Sequence, residues 1–155
     1  MCARARPSRA AAGQNGGMSI VSCVSCGAKN RVPVAASGLP RCAKCKADLP
    51  WLVEGTDRDF DAVAAAKVPV VVDLWAPWCG PCHMVAPVLE RLSRERAGRL
   101  KVVKVNVDDN REVQARFGAM SIPTLVLLRD GREVSLQVGA LPARELERWV
   151  DQHSV

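Results

Sequence analysis

Trp78-Cys79-Gly80-Pro81-Cys82 stands where a strongly apolar strand, Val68 to Trp75, gives way to a helical pattern that runs to about Ala97. Two thiols separated by two residues at a helix N-terminus can close a disulfide on each other, and the helix dipole with its free backbone N–H groups lowers the pKa of the first. Cys79 is therefore the expected nucleophile. Cys82 lies about one helical turn further in, less exposed, placed to attack a mixed disulfide formed on Cys79.

Outward from this corner the pattern alternates strands and helices. Val70 to Trp75 reads as a strand buried on both faces. Ahead of it, Thr56 is expected to cap a helix with Asp59 three residues on, and Phe60, Val63 and Ala64 give that helix an inward face. Behind it, Pro87 should kink the long helix and Gly98 should end it. A strand at Val102 to Val107, a short helix around Asn110 to Phe117 and a strand at Ile122 to Leu128 follow. Asp130-Gly131 then turns the chain into an edge strand at Glu133 to Val138, and Pro142 opens a last helix with Leu146, Trp149 and Val150 on one face. The order β-α-β-α-β-α-β-β-α predicts an α/β fold over residues 51–155, a central mixed sheet with helices on both faces.

Residues 18–50 are of another kind. Cys23-x2-Cys26 and Cys42-x2-Cys45 stand fifteen residues apart, a spacing that suits two knuckles presenting four thiolates to one structural zinc ion. The alternative is two further redox disulfides or loose thiols. Val32, Val34 and Leu39 are the segment's small apolar complement, so metal binding should supply most of its folding free energy. Residues 51–155 are expected to stay folded without it. Residues 1–17 carry three Arg and no acid and read as a disordered tail, either an extension ahead of Met18 or an organelle transit peptide. Cys2 in that tail is the odd cysteine.

The net charge of +6 belongs to the front of the chain. Residues 51–155 have fourteen basic against fifteen acidic residues, so the presumed catalytic part is nearly neutral. Lys29, Arg31, Arg41, Lys44 and Lys46 would suit phosphates, but residues 18–50 contain no aromatic or His side chain for stacking on bases, so nucleic acid is not the expected partner. No apolar run approaches the roughly 18 residues of a membrane span, and six of seven cysteines fall into Cys-x-x-Cys pairs, so a soluble protein of a reducing, cytoplasmic compartment is expected.

Asp73-Leu74-Trp75-Ala76-Pro77-Trp78-Cys79-Gly80-Pro81-Cys82, Lys104-Val105-Asn106-Val107-Asp108, Ile122-Pro123-Thr124 and Val138-Gly139-Ala140 together resemble the thioredoxin family. With the ribbon in front, residues 18–155 are similar to its zinc-containing bacterial branch, usually called thioredoxin 2. The resemblance implies a general protein disulfide reductase that acts on disulfide-containing clients, is recharged by thioredoxin reductase and ultimately NADPH, and binds no organic cofactor. It places Asp73 beneath Cys82 with Lys104 nearby, as a proton acceptor in the resolving step; the alternative is a structural acid satisfied by hydrogen bonds. It makes the Ile122-Pro123 bond cis and faces it to the dithiol, where the Ile122 backbone pairs with an extended client.

Trp78, Gly80, Pro81, Ile122, Pro123, Val138, Gly139 and Ala140 should then form a shallow apolar patch for unfolded partners, while Trp75 and Trp149 pack inside. His83 departs from the Lys or Arg frequent in the family. It is either an exposed polar helix residue or a group that tunes the dithiol. The competing function is a zinc-ribbon module that binds protein or nucleic acid and uses the larger fold as a scaffold. The intact set of Cys79, Cys82, Asp73 and Pro123 favours the reductase.

Overall fold

A computed structural model describes residues 17–35 and 38–154. The expected tail, with Cys2, lies outside the described residues except for Gly17. Strands β1 (Met18–Ser22) and β2 (Lys29–Pro33) pair antiparallel as a two-stranded sheet. The rest alternates β3 (Leu52–Glu54), α1 (Phe60–Ala64), β4 (Val70–Trp75), α2 (Gly80–Glu95), β5 (Lys101–Asn106), α3 (Arg111–Arg116), β6 (Thr124–Arg129), β7 (Arg132–Val138) and α4 (Ala143–His153). This is the predicted element order.

The five strands lie in the order β3-β5-β4-β6-β7, parallel from β3 through β5 to β4 and antiparallel from β4 through β6 to β7. β4 is central, and its first five residues, Val70 to Leu74, are all buried, as an apolar strand covered on both faces must be. Side chains alternate across the sheet. Val70, Val72 and Leu74 with Val103 and Val105 meet α1 and α3 through Phe60, Val63 and Val113. Val71, Val102, Leu125 and Leu127 meet α2 and α4 through Val85, Leu89, Leu92, Leu146 and Val150. By the same alternation Asp73 and Lys104, register partners on β4 and β5, fall on the α2 side.

Several expectations change in detail. Thr56 does not cap α1; instead the Asp59 carboxylate accepts from the Thr56 amide (2.7 Å) and hydroxyl (2.9 Å), and the helix proper starts at Phe60. α2 contains Pro87 and ends at Glu95, ahead of Gly98, which takes φ +82° in the turn that follows. A Cβ there would lie 2.5 Å from Asp48 Oδ2, so the absence of a side chain at Gly98 leaves room for the N-terminal segment against the turn after α2. Trp75 is half-buried, and Trp149 packs inside with its indole N–H on Ser135 Oγ (2.9 Å).

The N-terminal hairpin segment packs on the larger sheet. Cys23, Val32, Val34, Cys42 and Leu49 form one continuous apolar cluster with Trp51, Val53 and the α1 face of the large sheet. Leu39, expected inside, is 39% exposed, and its place is taken by Leu49 and Trp51, which are buried.

Candidate functional site: a disulfide at a helix N-terminus and a four-cysteine cluster

β4 delivers the chain to α2 through Ala76-Pro77-Trp78, and Cys79 takes the N-cap position with extended backbone. Its Sγ accepts the Cys82 amide hydrogen at 3.2 Å, which satisfies one of the orphan N–H groups of the first turn. Pro81 fits the start of α2 because its missing N–H would have had no helical partner. Cys79 and Cys82 are joined as a disulfide, their Cα atoms 5.3 Å apart. Burial does not distinguish them as expected, since Cys79 is 4% and Cys82 2% exposed in this oxidised state. Position does: Cys79 caps the helix, and Cys82 lies within it.

Asp73 is buried, with Oδ2 3.2 Å from Lys104 Nζ and Oδ1 without a partner among the described residues. Burial raises its pKa, and the Lys104 charge and hydrogen bond oppose that rise. Lys104 Nζ also lies 5.0 Å from the centre of the Trp75 ring. A carboxyl held in this way can take a proton at modest cost.

Around the disulfide, Trp78, Gly80 and Pro81 are exposed. Just ahead of β6, whose Thr124 is the register partner of Leu74 on β4, the Ile122-Pro123 bond is cis, Ile122 is half-buried and Pro123 is buried. The Gly139 amide donates to the Pro123 carbonyl at 2.8 Å and ties the Val138-Gly139-Ala140 turn to this loop. Trp78 and Ile122 share a groove of about 380 Å³ that also includes Asp108 and Met120. Asp108 accepts the Trp78 indole hydrogen (3.0 Å to Oδ2) and so fixes the ring. Sequence reasoning quoted Asp108 only within a motif and missed Met84 and Met120, which are 73% and 95% exposed. His83 is exposed, and its Nε2–H donates to the Pro77 carbonyl at 2.8 Å, which ties α2 to the loop before Cys79.

The second cluster lies in the hairpin segment, whose knuckles place Cys23, Cys26, Cys42 and Cys45 with all four sulfurs within 4.8 Å of one another. A metal held tetrahedrally by thiolates at about 2.3 Å needs sulfur–sulfur edges of about 3.8 Å. Cys23 Sγ is 3.6 Å from Cys45 Sγ, and Cys26 Sγ is 3.7 Å from Cys42 Sγ, so the four residues fit one ion. The Cys45 backbone amide, ahead of other contacts, holds the Cys42 thiol down to about 6. Asn30, missed in the sequence, braces the knuckles: its Nδ2 reaches Cys42 Sγ (3.5 Å) and the Ala28 carbonyl (3.0 Å), and its Oδ1 accepts the Ala43 amide (2.9 Å).

A family model described as Thioredoxin matches residues 51–152. The thioredoxin of Haemophilus influenzae is 52% identical over 98 residues, 63% of this chain and 92% of that protein. The thioredoxin of Bacillus subtilis is 48% identical over 102 residues, 66% of this chain and 97% of its own length. Residues ahead of Trp51 lie outside the matched family model, so the four-cysteine cluster is an addition to the part the model describes.

Proposed function

Because this chain belongs to the thioredoxin family, we propose that it is a general protein disulfide reductase working through a Cys79/Cys82 dithiol. The protein is a thiol–disulfide oxidoreductase, and the observation that supports the finer reading is the Cys79–Cys82 disulfide at the start of α2, just after β4, with a cis Ile122-Pro123 bond just ahead of Thr124, the register partner of Leu74 on β4. In the reduced protein the Cys79 thiolate attacks one sulfur of a client disulfide. A Cys79–client mixed disulfide forms and the first client thiolate leaves. Cys82, passing its proton toward Asp73 with Lys104 balancing the charge, then attacks Cys79 Sγ. The Cys79–Cys82 disulfide closes and the second client thiol is released, so two electrons have moved from the dithiol to the client. Thioredoxin reductase, drawing on NADPH, restores the dithiol. Trp78, Gly80, Pro81, Ile122, Pro123 and Gly139 receive an extended, apolar client segment, with the Ile122 backbone as its pairing strand.

Cys23, Cys26, Cys42 and Cys45 hold one structural zinc ion, whose chemistry is to keep four thiolates together and unreactive. The sulfur spacing supports this reading. No helix among the described residues is long and apolar enough to cross a membrane. The cytoplasm, where a dithiol stays reduced, is the compartment that suits the reaction. The test is insulin reduction coupled to NADPH oxidation by thioredoxin reductase, with zinc counted on the same sample. NADPH consumption that depends on both this chain and insulin is expected. A pre-reduced chain that leaves insulin disulfides intact would overturn the reading.

A further inference from the structure

Lys101 opens β5 and is 0% exposed, an unusual place for an ammonium. Its side chain shares the α1 face of the sheet with Val103 and Val105. Its Nζ donates to the Val63 carbonyl in the last turn of α1, where the helix presents its negative end. It also donates at 3.0 Å to the Val34 carbonyl, immediately beyond β2 in the four-cysteine segment. The ammonium lies 4.4 Å from the centre of the Trp51 ring, which is itself 0% exposed. The Trp51 Nε1–H has no partner among the described residues.

We propose that Lys101 is the latch of the ribbon: the metal-held fold of residues 18–50 ends its Val34 carbonyl on the buried Lys101 ammonium over Trp51, and loss of the metal uncovers Lys101 and Trp51 together. The inference rests on the reading of the four cysteines as a metal site.

The forces at this seam oppose one another. Val32, Val34 and Leu49 pack against Trp51 and hold the ribbon down through apolar burial. Beside them lie two polar groups that are costly to bury: the Lys101 ammonium, for which the ribbon supplies the Val34 carbonyl as an acceptor, and the Trp51 indole N–H, which has no partner among the described residues. Burial lowers the Lys101 amine to about 8, with the Asp59 charge opposing, in keeping with a group kept dry by its cover. The ribbon's hold therefore depends on its own fold, which keeps Val34 in place through the Val34 amide to the Gly17 carbonyl (2.9 Å) and through the cysteine knuckles. A segment with so small an apolar interior loses that fold with its metal. With Val34 displaced, the Lys101 ammonium loses that acceptor and gains by returning to water. The five-stranded sheet keeps its remaining layers, so the change is local to this face.

Amine labelling of the full-length protein tests the latch. The zinc-loaded chain is treated with an acylating reagent, Lys101 is compared by mass spectrometry with exposed Lys29, Lys44 and Lys46, and the measurement is repeated after zinc is removed with a chelator under reducing conditions. Lys101 should be protected in the loaded protein and should label faster by roughly tenfold or more once zinc is gone, as expected for local opening. Backbone hydrogen exchange in residues 51–54 should rise in parallel while that of β4 and β6 stays slow. Lys101 that labels like its neighbours in the loaded chain, or that stays protected after zinc counting shows the metal gone, overturns the latch. A chain that carries no zinc while reducing insulin overturns the metal reading beneath it and leaves the reductase reading standing.

Discussion

At the scale of single residues, the two thiols differ in position, one capping α2 and the other lying inside it, and the proposed reductase cycle gives them different tasks. Cys79→Ser is expected to abolish client reduction, whereas Cys82→Ser should still attack clients and accumulate as mixed disulfides, since only the resolving step is lost. Non-reducing electrophoresis of cell extracts reads the difference, and partners trapped by Cys79→Ser instead would reverse the assignment. Asp73 carries a second expectation. Its buried carboxyl binds a proton in the folded protein at pH values where the unfolded chain has released it, because burial raises its folded pKa. The stability it contributes is full below about pH 3.9 and is lost as pH rises through the folded pKa. Asp73→Asn cannot ionise and should be more stable at neutral pH by about 1 to 3 kcal/mol, yet slower in reduction. Urea melts at pH 4 and pH 7 beside insulin turnover check this. A variant that is less stable and fully active would make the acid structural.

At the scale of elements, what could be read from the sequence was whatever is set by neighbours along the chain. The thiols and Gly80-Pro81 state their requirements within a few residues, so the strand-to-helix corner was visible in advance, whereas the cis Ile122-Pro123 bond was implied by the family resemblance. What was not visible depends on partners far away in sequence. α3 illustrates this, since Asn110 at its N-cap makes no side-chain cap. The orphan amides of Val113 (2.8 Å) and Glu112 (3.2 Å) instead go to the Asp57 carboxylate, and the Asp57 amide donates to Asn110 Oδ1 (2.9 Å). Nothing near Asp57 in the sequence points to a helix more than fifty residues further on. Lys101 escaped notice for the same reason: a lysine at the mouth of a valine-rich strand looks like an exposed end, and only the ribbon folded over it shows otherwise. Removing the cap in Asp57→Ala should cost about 0.5 to 2 kcal/mol. Denaturant melts measure the loss, with insulin reduction unchanged at low denaturant; an unaltered midpoint would mean that water serves the two amides equally well.

At the scale of the whole molecule, a reactive dithiol and four metal-fitting thiols occupy one chain and meet an oxidant differently. Zinc ligation suppresses sulfur nucleophilicity, so Cys23, Cys26, Cys42 and Cys45 should be inert under ordinary reducing conditions. A strong oxidant changes that, because peroxide converts a thiolate to a sulfenic acid that condenses with a second thiol, forming a disulfide and water. Sulfurs of different knuckles lie near one another, Cys23 with Cys45 at 3.6 Å and Cys26 with Cys42 at 3.7 Å, so a partner thiol is within reach for each. A disulfide across the knuckles leaves the ion with too few ligands. Cys79 and Cys82 form a disulfide that thioredoxin reductase is expected to open, so their oxidation at the same peroxide dose is recoverable. Zinc should therefore leave at peroxide doses that spare insulin reduction measured after re-reduction, followed with a chromogenic chelator on one sample and turnover on its twin. Zinc that stays bound until turnover is permanently lost would make the ribbon structural only, because the dithiol would then be the more sensitive of the two sites.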